Sequence, residues 1–224
     1  MIRKTTLLIA TLLAVMVQTA VAQLPMKGSG TEADPYILAS ASDWYYMNLS
    51  NKNGDSFAGK FIRMTADINV YSVSVGTEDT PFSGTIDGGG HTLTYNAGTF
   101  TDGNVTPADK RCAPFLYVSG ANISHLRTTG RIATSKQYAG GVISMVQGPG
   151  VTTLTDVQSD MYITGYSVEN AAHGGLVGAV NAGGLTIERG VFQGFFDAEN
   201  SGGLVGWSNV DVTIRGSPRA QRHG

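Results

Sequence analysis

Cysteine is nearly absent, with Cys112 alone among 224 residues. One thiol closes no internal disulfide, and the paired-Cys spacings of zinc sites are missing as well. Charge is also scarce: Asp, Glu, Lys and Arg make up 14% of the chain, against a usual ~25%. Fifteen basic and 17 acidic residues leave a net charge of −2. No basic stripe appears, so the electrostatic footprint of a nucleic-acid binder is missing. Low charge beside a 42% hydrophobic fraction excludes intrinsic disorder, which needs the opposite balance. After residue 22 no apolar run is long enough to read as a transmembrane segment. The four histidines, His91, His125, His173 and His223, lack metal-ligand spacing. Gly28-Ser29-Gly30 and Gly148-Pro149-Gly150 lack the continuation of a phosphate or dinucleotide loop, and no nucleophile elbow is present. No catalytic, cofactor-binding or metal residue is assigned on these grounds.

The first 22 residues read as a secretory signal peptide. Arg3 and Lys4 form a positive start, Leu7 to Val17 an apolar core, and Ala20-Val21-Ala22 a small-residue cleavage site. The core is too short for a membrane anchor, which needs ~20 residues, and Gln23 at the new N-terminus offers no lipidation cysteine. Cleavage predicts an extracellular or cell-surface protein of net charge −4. Its stability then comes from packing and backbone ladders, and Cys112, beside Ala113-Pro114-Phe115, is expected as a small buried filler.

What the chain has in excess is glycine. Thirty residues are roughly twice the ordinary share of ~7%. They follow no three-residue period, which excludes collagen, and they disfavour a mostly helical protein. One helix is expected at Ser40–Leu49, capped by Ser40 or Ser42, with Trp44, Met47 and Leu49 on a shared face and Asn53-Gly54 ending it. Phe61 to Val70 reads as a strand; Phe82–Asp87 and His91–Tyr95 form a hairpin or tight corner around Gly88-Gly89-Gly90.

In the second half the glycines are paired. Gly140-Gly141-Val142-Ile143-Ser144, Gly174-Gly175-Leu176-Val177-Gly178 and Gly202-Gly203-Leu204-Val205-Gly206 lie 34 and 28 residues apart, a period that marks solenoids. Further apolar strands follow each doublet, among them Val151–Val157, Met161–Thr164, Leu185–Glu188, Val191–Phe196 and Val210–Ile214. Phe115–Val118, Ile123–Leu126 and Arg131–Ala133 form an earlier turn without a doublet. Three short strands per repeat predict an all-β, right-handed parallel β-helix with a short N-terminal capping helix. Each coil stacks ~4.8 Å from the next, since one coil cannot bury its inner face alone. Corner glycines are expected for positive φ and close stacking, with Val142, Leu176 and Leu204 forming an inward stack. The organisation is thus 1–22 signal, 23–100 N-terminal capping region with first coils, 101–216 glycine-doublet repeats, and 217–224 an irregular tail. Because that tail supplies no apolar cap, the chain is expected to be a truncated product of a longer repeat protein.

The Gly-Gly-Leu-Val-Gly units at 174–178 and 202–206 resemble the GLUG repeat of bacterial exported and surface proteins. The block Gly28 to Ile37, with Ala66-Asp67-Ile68 and Phe82 to His91, is similar to an arrangement in exported proteins of Bacteroidetes. The first doublet departs from the repeat with Ser144 in place of the closing glycine. The resemblance implies a right-handed β-helix and an adhesin-like surface role, without a defined activity.

The outward residues are the remaining candidates for chemistry. Asp156 and Asp160 flank Val157-Gln158-Ser159, with Glu188 and Arg189 as partners on the following coil. A glycosidase needs carboxyl groups ~5 Å apart (retaining) or ~6.5–9.5 Å apart (inverting); solvated strand faces account for the same residues without catalysis. Asp34, Asp67 and Asp87 sit in turn contexts, where Asp bonds to backbone. His91 and His173, beside glycine corners, are expected to face solvent. Trp44, Tyr45 and Tyr46 cannot all face inward from one helix, so an exposed tyrosine is available to stack on a sugar, although a capping role is preferred. Phe192, Phe195, Phe196 and Trp207 are expected as core or corner packing. The sequons at Asn48, Asn104 and Asn122 matter only in a eukaryotic host. The expectation is an exported, non-enzymatic module contacting host or bacterial glycans or surface proteins. A carbohydrate-active β-helix enzyme and an inert spacer are the alternatives.

Overall fold

A computed structural model describes residues 26–101, 104–166, 171–198 and 200–217. The signal segment, His223 and the tail beyond Ser217 lie outside the described residues.

The chain folds as a parallel β-solenoid with three sheets running along its axis. The first sheet has seven levels: Tyr36–Leu38, Phe61–Met64, Thr85–Asp87, Asn122–Ser124, Val151–Thr155, Gly184–Glu188 and Val212–Arg215. The second runs from Ile68–Tyr71 through Thr92–Ala97, Arg127–Thr134 and Gln158–Gly165, ending on Val191–Phe192 and Phe195–Asp197. The third begins later, with Phe115–Val118, Ile143–Val146, Val177–Val180 and Val205–Ser208. Four coils therefore contain all three sheets. The ladders cross position 100 without a break, and one core cluster extends from Met26 to Ile187.

Register turns each coil into a copy of the last. Tyr36, Ile62, Ile86, Ile123, Leu154, Ile187 and Ile214 lie one above another. The five from Ile62 to Ile187 are fully buried, and at ~1.5–3 kcal/mol per aliphatic side chain they contribute on the order of 10 kcal/mol. Val142, Leu176 and Leu204 form the expected second stack: the Val142 amide donates to Leu176 O (2.9 Å) and the Leu176 amide to Leu204 O (3.0 Å).

Of the two causes expected for the doubled glycines, close stacking holds and positive φ does not. None of the six has positive φ. A Cβ on Gly140, Gly174 or Gly202 would stand 1.8–1.9 Å from the carbonyl oxygen three residues ahead. A Cβ on Gly141 or Gly175 would meet the Gly175 or Gly203 carbonyl of the next coil at 2.1–2.2 Å. The first member of each pair permits the chain to curl on itself; the second permits the coils to approach.

Phe82–Asp87 and His91–Tyr95 do not form a hairpin. Thr85–Asp87 and Thr92–Ala97 belong to different sheets, so the three glycines make a corner. Among the described strands the only antiparallel pair is Thr99–Thr101 with Asn104–Thr106. The stretch 61–70 likewise divides into Phe61–Met64 and Ile68–Tyr71, around another corner.

The helix spans Ala41–Lys52. Ser40 caps it: the Asp43 amide donates to Ser40 Oγ (3.3 Å), while Asp43 Oδ2 accepts from Ser40 Oγ and the Ala39 amide. It covers the core where the third sheet is missing. Trp44 and Met47 are buried, and Trp44 meets Phe115 edge-on at 5.4 Å. Leu49 is exposed instead of sharing that face; Asn48 and Asn51 are buried in its stead. The indole N–H donates to Val73 O (2.9 Å), the Asn48 amide to Ser74 O, and the Asn51 amide to Thr80 O (3.0 Å). Asn51 Oδ1 accepts from the Gly76 amide. These bonds fasten the 73–80 loop to the helix, and Asn48 is an inward-facing side chain rather than an accessible sequon.

A contrast between two glycines tests the stacking account. Gly174→Ala drives a methyl into backbone atoms of its own and the next coil, and is expected to destabilise by about 3 kcal/mol or more. At Gly184 the nearest atoms are Val151 methyl groups at 3.3 Å and φ is not positive, so Gly184→Ala stays within about 1 kcal/mol of the parent. Urea unfolding of both variants decides the point.

Candidate functional site

Three surface features bear on function, and each follows from the coil register. The first is the corner after the first sheet. His125, Asp156 and Arg189 occupy the same corner on successive coils, with φ of 49°, 53° and 53°, and Gly216 continues the series at 62°. Their side chains meet along the axis. Arg189 Nε and Nη2 donate to Asp156 Oδ1 and Oδ2 at 2.6 and 2.7 Å. His125 reaches Asp156 Oδ2 through Nε2 (3.8 Å) and Asp87 Oδ1 through Nδ1 (3.1 Å). Arg63 Nε stands 3.3 Å from Asp87 Oδ2. The result is a surface ladder in which carboxylates alternate with basic side chains, Arg63–Asp87–His125–Asp156–Arg189, beside a shallow cleft of ≈ 280 Å³.

Asp156 and Arg189 thus come together as expected, but Asp160 does not join them. Its carboxylate accepts from Gln158 Nε2 at 3.0 and 3.1 Å, and Gln158 in turn bonds Gln193. Glu188 lies in the first sheet, in register with Thr155 and Arg215. The Arg189 hydrogen bonds hold the Asp156 carboxyl below the usual carboxylate range. At Asp87 partial burial pushes upward, but the Gly89 amide, His125 and Arg63 outweigh it and the net direction is down. Carboxyls held ionised in this way are poor proton donors. Among the described residues no group of three or more His, Cys, Asp or Glu is placed to hold a metal ion.

The second feature is a groove of ≈ 260 Å³ beside the helix, lined by Ala41, Tyr45, Tyr46, Val70, Tyr71 and Val73 among others. Register slips between Asn69 and Tyr71 against the neighbouring strand, a β-bulge that re-aims the side chain beyond it. Tyr71 takes φ of 54° and is 67% exposed. Asn69 Oδ1 accepts from the Tyr71 amide at 3.0 Å and holds the turn. A bulky aromatic in the left-handed region is an outlier; strain of this kind concentrates at ligand clamps. Tyr45 and Tyr46 oppose it from the helix, their rings edge-to-face at 6.3 Å. The helix therefore takes the preferred capping role through Trp44, and its two tyrosine neighbours are exposed. The bulge at Tyr71 carries no sequence signature beyond an asparagine two residues earlier.

The third feature corrects an expectation. Phe195 is 58% exposed and Trp207 40% exposed rather than packed in the core, although Phe196 does pack against the core. Arg131, Tyr162 and Phe195 stand in register on the second sheet. The Arg131 guanidinium lies 4.1 Å from the Phe100 ring centre and 5.3 Å from that of Tyr162. Tyr162 stacks on Phe195 at 5.2 Å and 19°. Rings in such a column turn their faces to each other and their rims to solvent, so the stack fixes adjacent coils. Tyr138, at φ of 63°, stacks on Trp207 at 6.0 Å in the same way.

His91 and Cys112 sit as expected, His91 at the surface within 3.4 Å of Asp67 and Cys112 buried, its thiol pushed up to about 11 by burial. Asp87 accepts from the Gly89 amide within its own turn, whereas Asp67 accepts from the Thr92 amide 25 residues on. His173 does not face solvent. It is 2% exposed, its Nδ1 accepts from the Ala139 amide (3.0 Å), and burial lowers its pKa to about 4. It is a neutral core ligand of the neighbouring coil. No family model, curated protein or solved structure matches the chain.

The buried imidazole gives a pH signature. Unfolded histidine titrates near 6.5, so between pH 6.5 and about 4 the unfolded state binds the extra proton and stability falls as pH falls. The full difference is about 3 kcal/mol. Urea unfolding across pH 4–7 should show this decline, and His173→Gln should flatten it. An unchanged slope in the variant rejects the assignment.

Proposed function

We propose that the chain is an exported, non-catalytic binding module that presents the tyrosine groove to a saccharide. The observation that carries this reading is Tyr71, held in a strained, bulged turn and exposed opposite Tyr45 and Tyr46. Core packing does not account for it, because the ring is largely exposed. Ring faces at the mouth of a shallow groove suit the apolar face of a pyranose, and tyrosine hydroxyls suit its edge. The charged corner is a weaker candidate, since its carboxylates are spent on Arg63, His125 and Arg189. The Gly-Gly-Leu-Val-Gly units and the signal-like N-terminus support an extracellular, adhesin-like setting of the GLUG type, and the low charge and disulfide-free core are compatible with it.

The test separates binding from stability. Tyr71→Gly relieves the left-handed strain and should raise stability by about 1 kcal/mol, while retention on a glycan array is lost. A purely structural tyrosine would give the opposite result, lower stability with binding intact. A polysaccharide-degradation screen runs beside the array. No cleavage is expected, and cleavage abolished by Asp156→Ala would instead make the chain a carbohydrate-active enzyme. Silence of the parent chain in both assays leaves an inert spacer.

A further inference from the structure

A second depression adjoins the tyrosine groove. The segment Tyr71-Ser72-Val73 forms one wall of the groove, and Lys110 Nζ donates to Ser72 O at 3.2 Å from the other side. Lys110 begins a pocket of ≈ 360 Å³ lined by Lys110, Arg111, Leu116, Tyr117, Lys136 and Gln137. The volume lies near the lower end of the ~300–1,000 Å³ range of small-molecule sites, so it fits one ring-sized unit rather than a bare ion.

Its chemistry is cationic on a chain of net charge −2. Arg111 Nη1 donates to Tyr117 Oη at 2.7 Å, and the guanidinium lies 5.6 Å from the ring centres of both Tyr117 and Tyr138. Those contacts orient a planar fork with five donors, the geometry that matches a carboxylate or sulfate. Two acids are near: Asp109 pairs with Lys136 at 2.8 Å, and Glu78 Oε2 is 3.5 Å from Tyr117 Oη. Three cations against two carboxylates leave a local positive excess.

The backbone that carries two of these cations is also fixed from below. The Thr134 hydroxyl, fully buried, donates to Lys110 O at 2.7 Å and accepts from the Lys136 amide at 3.0 Å. Cys112 Sγ also donates to Lys110 O, at 3.3 Å. One buried side chain thus ties together the backbones of two lysines that approach from different coils. Pre-organisation of this kind reduces the ordering cost of binding.

We infer that the ligand is an acidic oligosaccharide, one of whose rings lies against Tyr45, Tyr46 and Tyr71 while a neighbouring ring places a carboxylate or sulfate on Lys110, Arg111 and Lys136. This rests on the groove reading above and names its ligand class. Titration calorimetry of the full chain with three probes of equal length tests it: a hexuronate oligomer, a sulfated hexose oligomer and a neutral hexose oligomer. An acidic probe should bind about tenfold more tightly than the neutral one, and Arg111→Gln should erase that ratio, as expected for one charge-assisted bond. The two acidic probes identify which anion is taken. Lys136→Gln, at a half-exposed side chain, decides the matter if the arginine variant fails to fold. Equal binding of neutral and acidic probes overturns the inference and leaves the groove reading standing; no binding by any probe removes both. Free sulfate binding as tightly as the sulfated oligomer overturns it in favour of a bare-ion site.

Discussion

Everything in this solenoid depends on the spacing of its backbone ladders. Parallel strands lie ~4.8 Å apart, and each coil must repeat that distance on three faces at once. A residue therefore has a copy of its own backbone position directly above and below it. Side chains that stack well with their own kind are favoured at such positions, which is why isoleucine or leucine recurs from Ile62 to Ile187. Where two backbones must close further still, no side chain fits, and Gly141 and Gly175 stand against the glycine carbonyls of the next coil.

The same constraint explains the outer surface of the regular half. A column of like positions brings aromatic and cationic groups face to face, as in the Arg131–Tyr162–Phe195 stack. At the corner, the left-handed residues His125, Asp156 and Arg189 on successive coils continue the ladder that Arg63 and Asp87 begin on the first sheet. Both features look like sites when read as lists of residue types. Their partners along the axis are each other, so their chemistry is largely satisfied within the fold. Exposed ion pairs of this kind set register more than they add stability.

The parts of this architecture legible in the sequence are those that repeat. The glycine doublets, the Val142–Leu176–Leu204 stack and the Ser40 cap depend on local patterns or on a regular period. Pairings between coils of unequal length are not legible that way. Arg63 meets Asp87, and His125 meets Asp156, only once the loops between them are counted correctly. His173 illustrates the limit well: beside a glycine pair it reads as a corner residue, yet the neighbouring coil covers it and Ala139 bonds it. The doublets misled in one respect, because their backbone is not left-handed and the reason for glycine is proximity alone. The positive-φ corner instead holds His125, Asp156 and Arg189; Asp and His are types that favour this region, whereas Arg is not.

Irregularity, by contrast, is concentrated in the first coils. The helix replaces a missing strand of the third sheet, a bulge turns Tyr71 outward, and the hairpin at Thr99–Thr106 lengthens the connection that leads to Lys110 and Arg111. Each departure breaks the stacking rule and exposes groups whose partners are not supplied by the next coil. A repeating surface presents the same groups at every level and discriminates poorly between ligands, whereas a break in the repeat creates one distinct place. The tyrosine groove has the Tyr71–Val73 segment as a wall at such a break, and Lys110 of the cationic pocket bonds to that segment at Ser72 O. The helix fixes one side of that wall through Trp44 and Asn48, and Lys110 meets it from the other. Recognition would then be confined to the end of the solenoid where periodicity fails, with the glycine-doublet coils serving as the rigid stem that holds it.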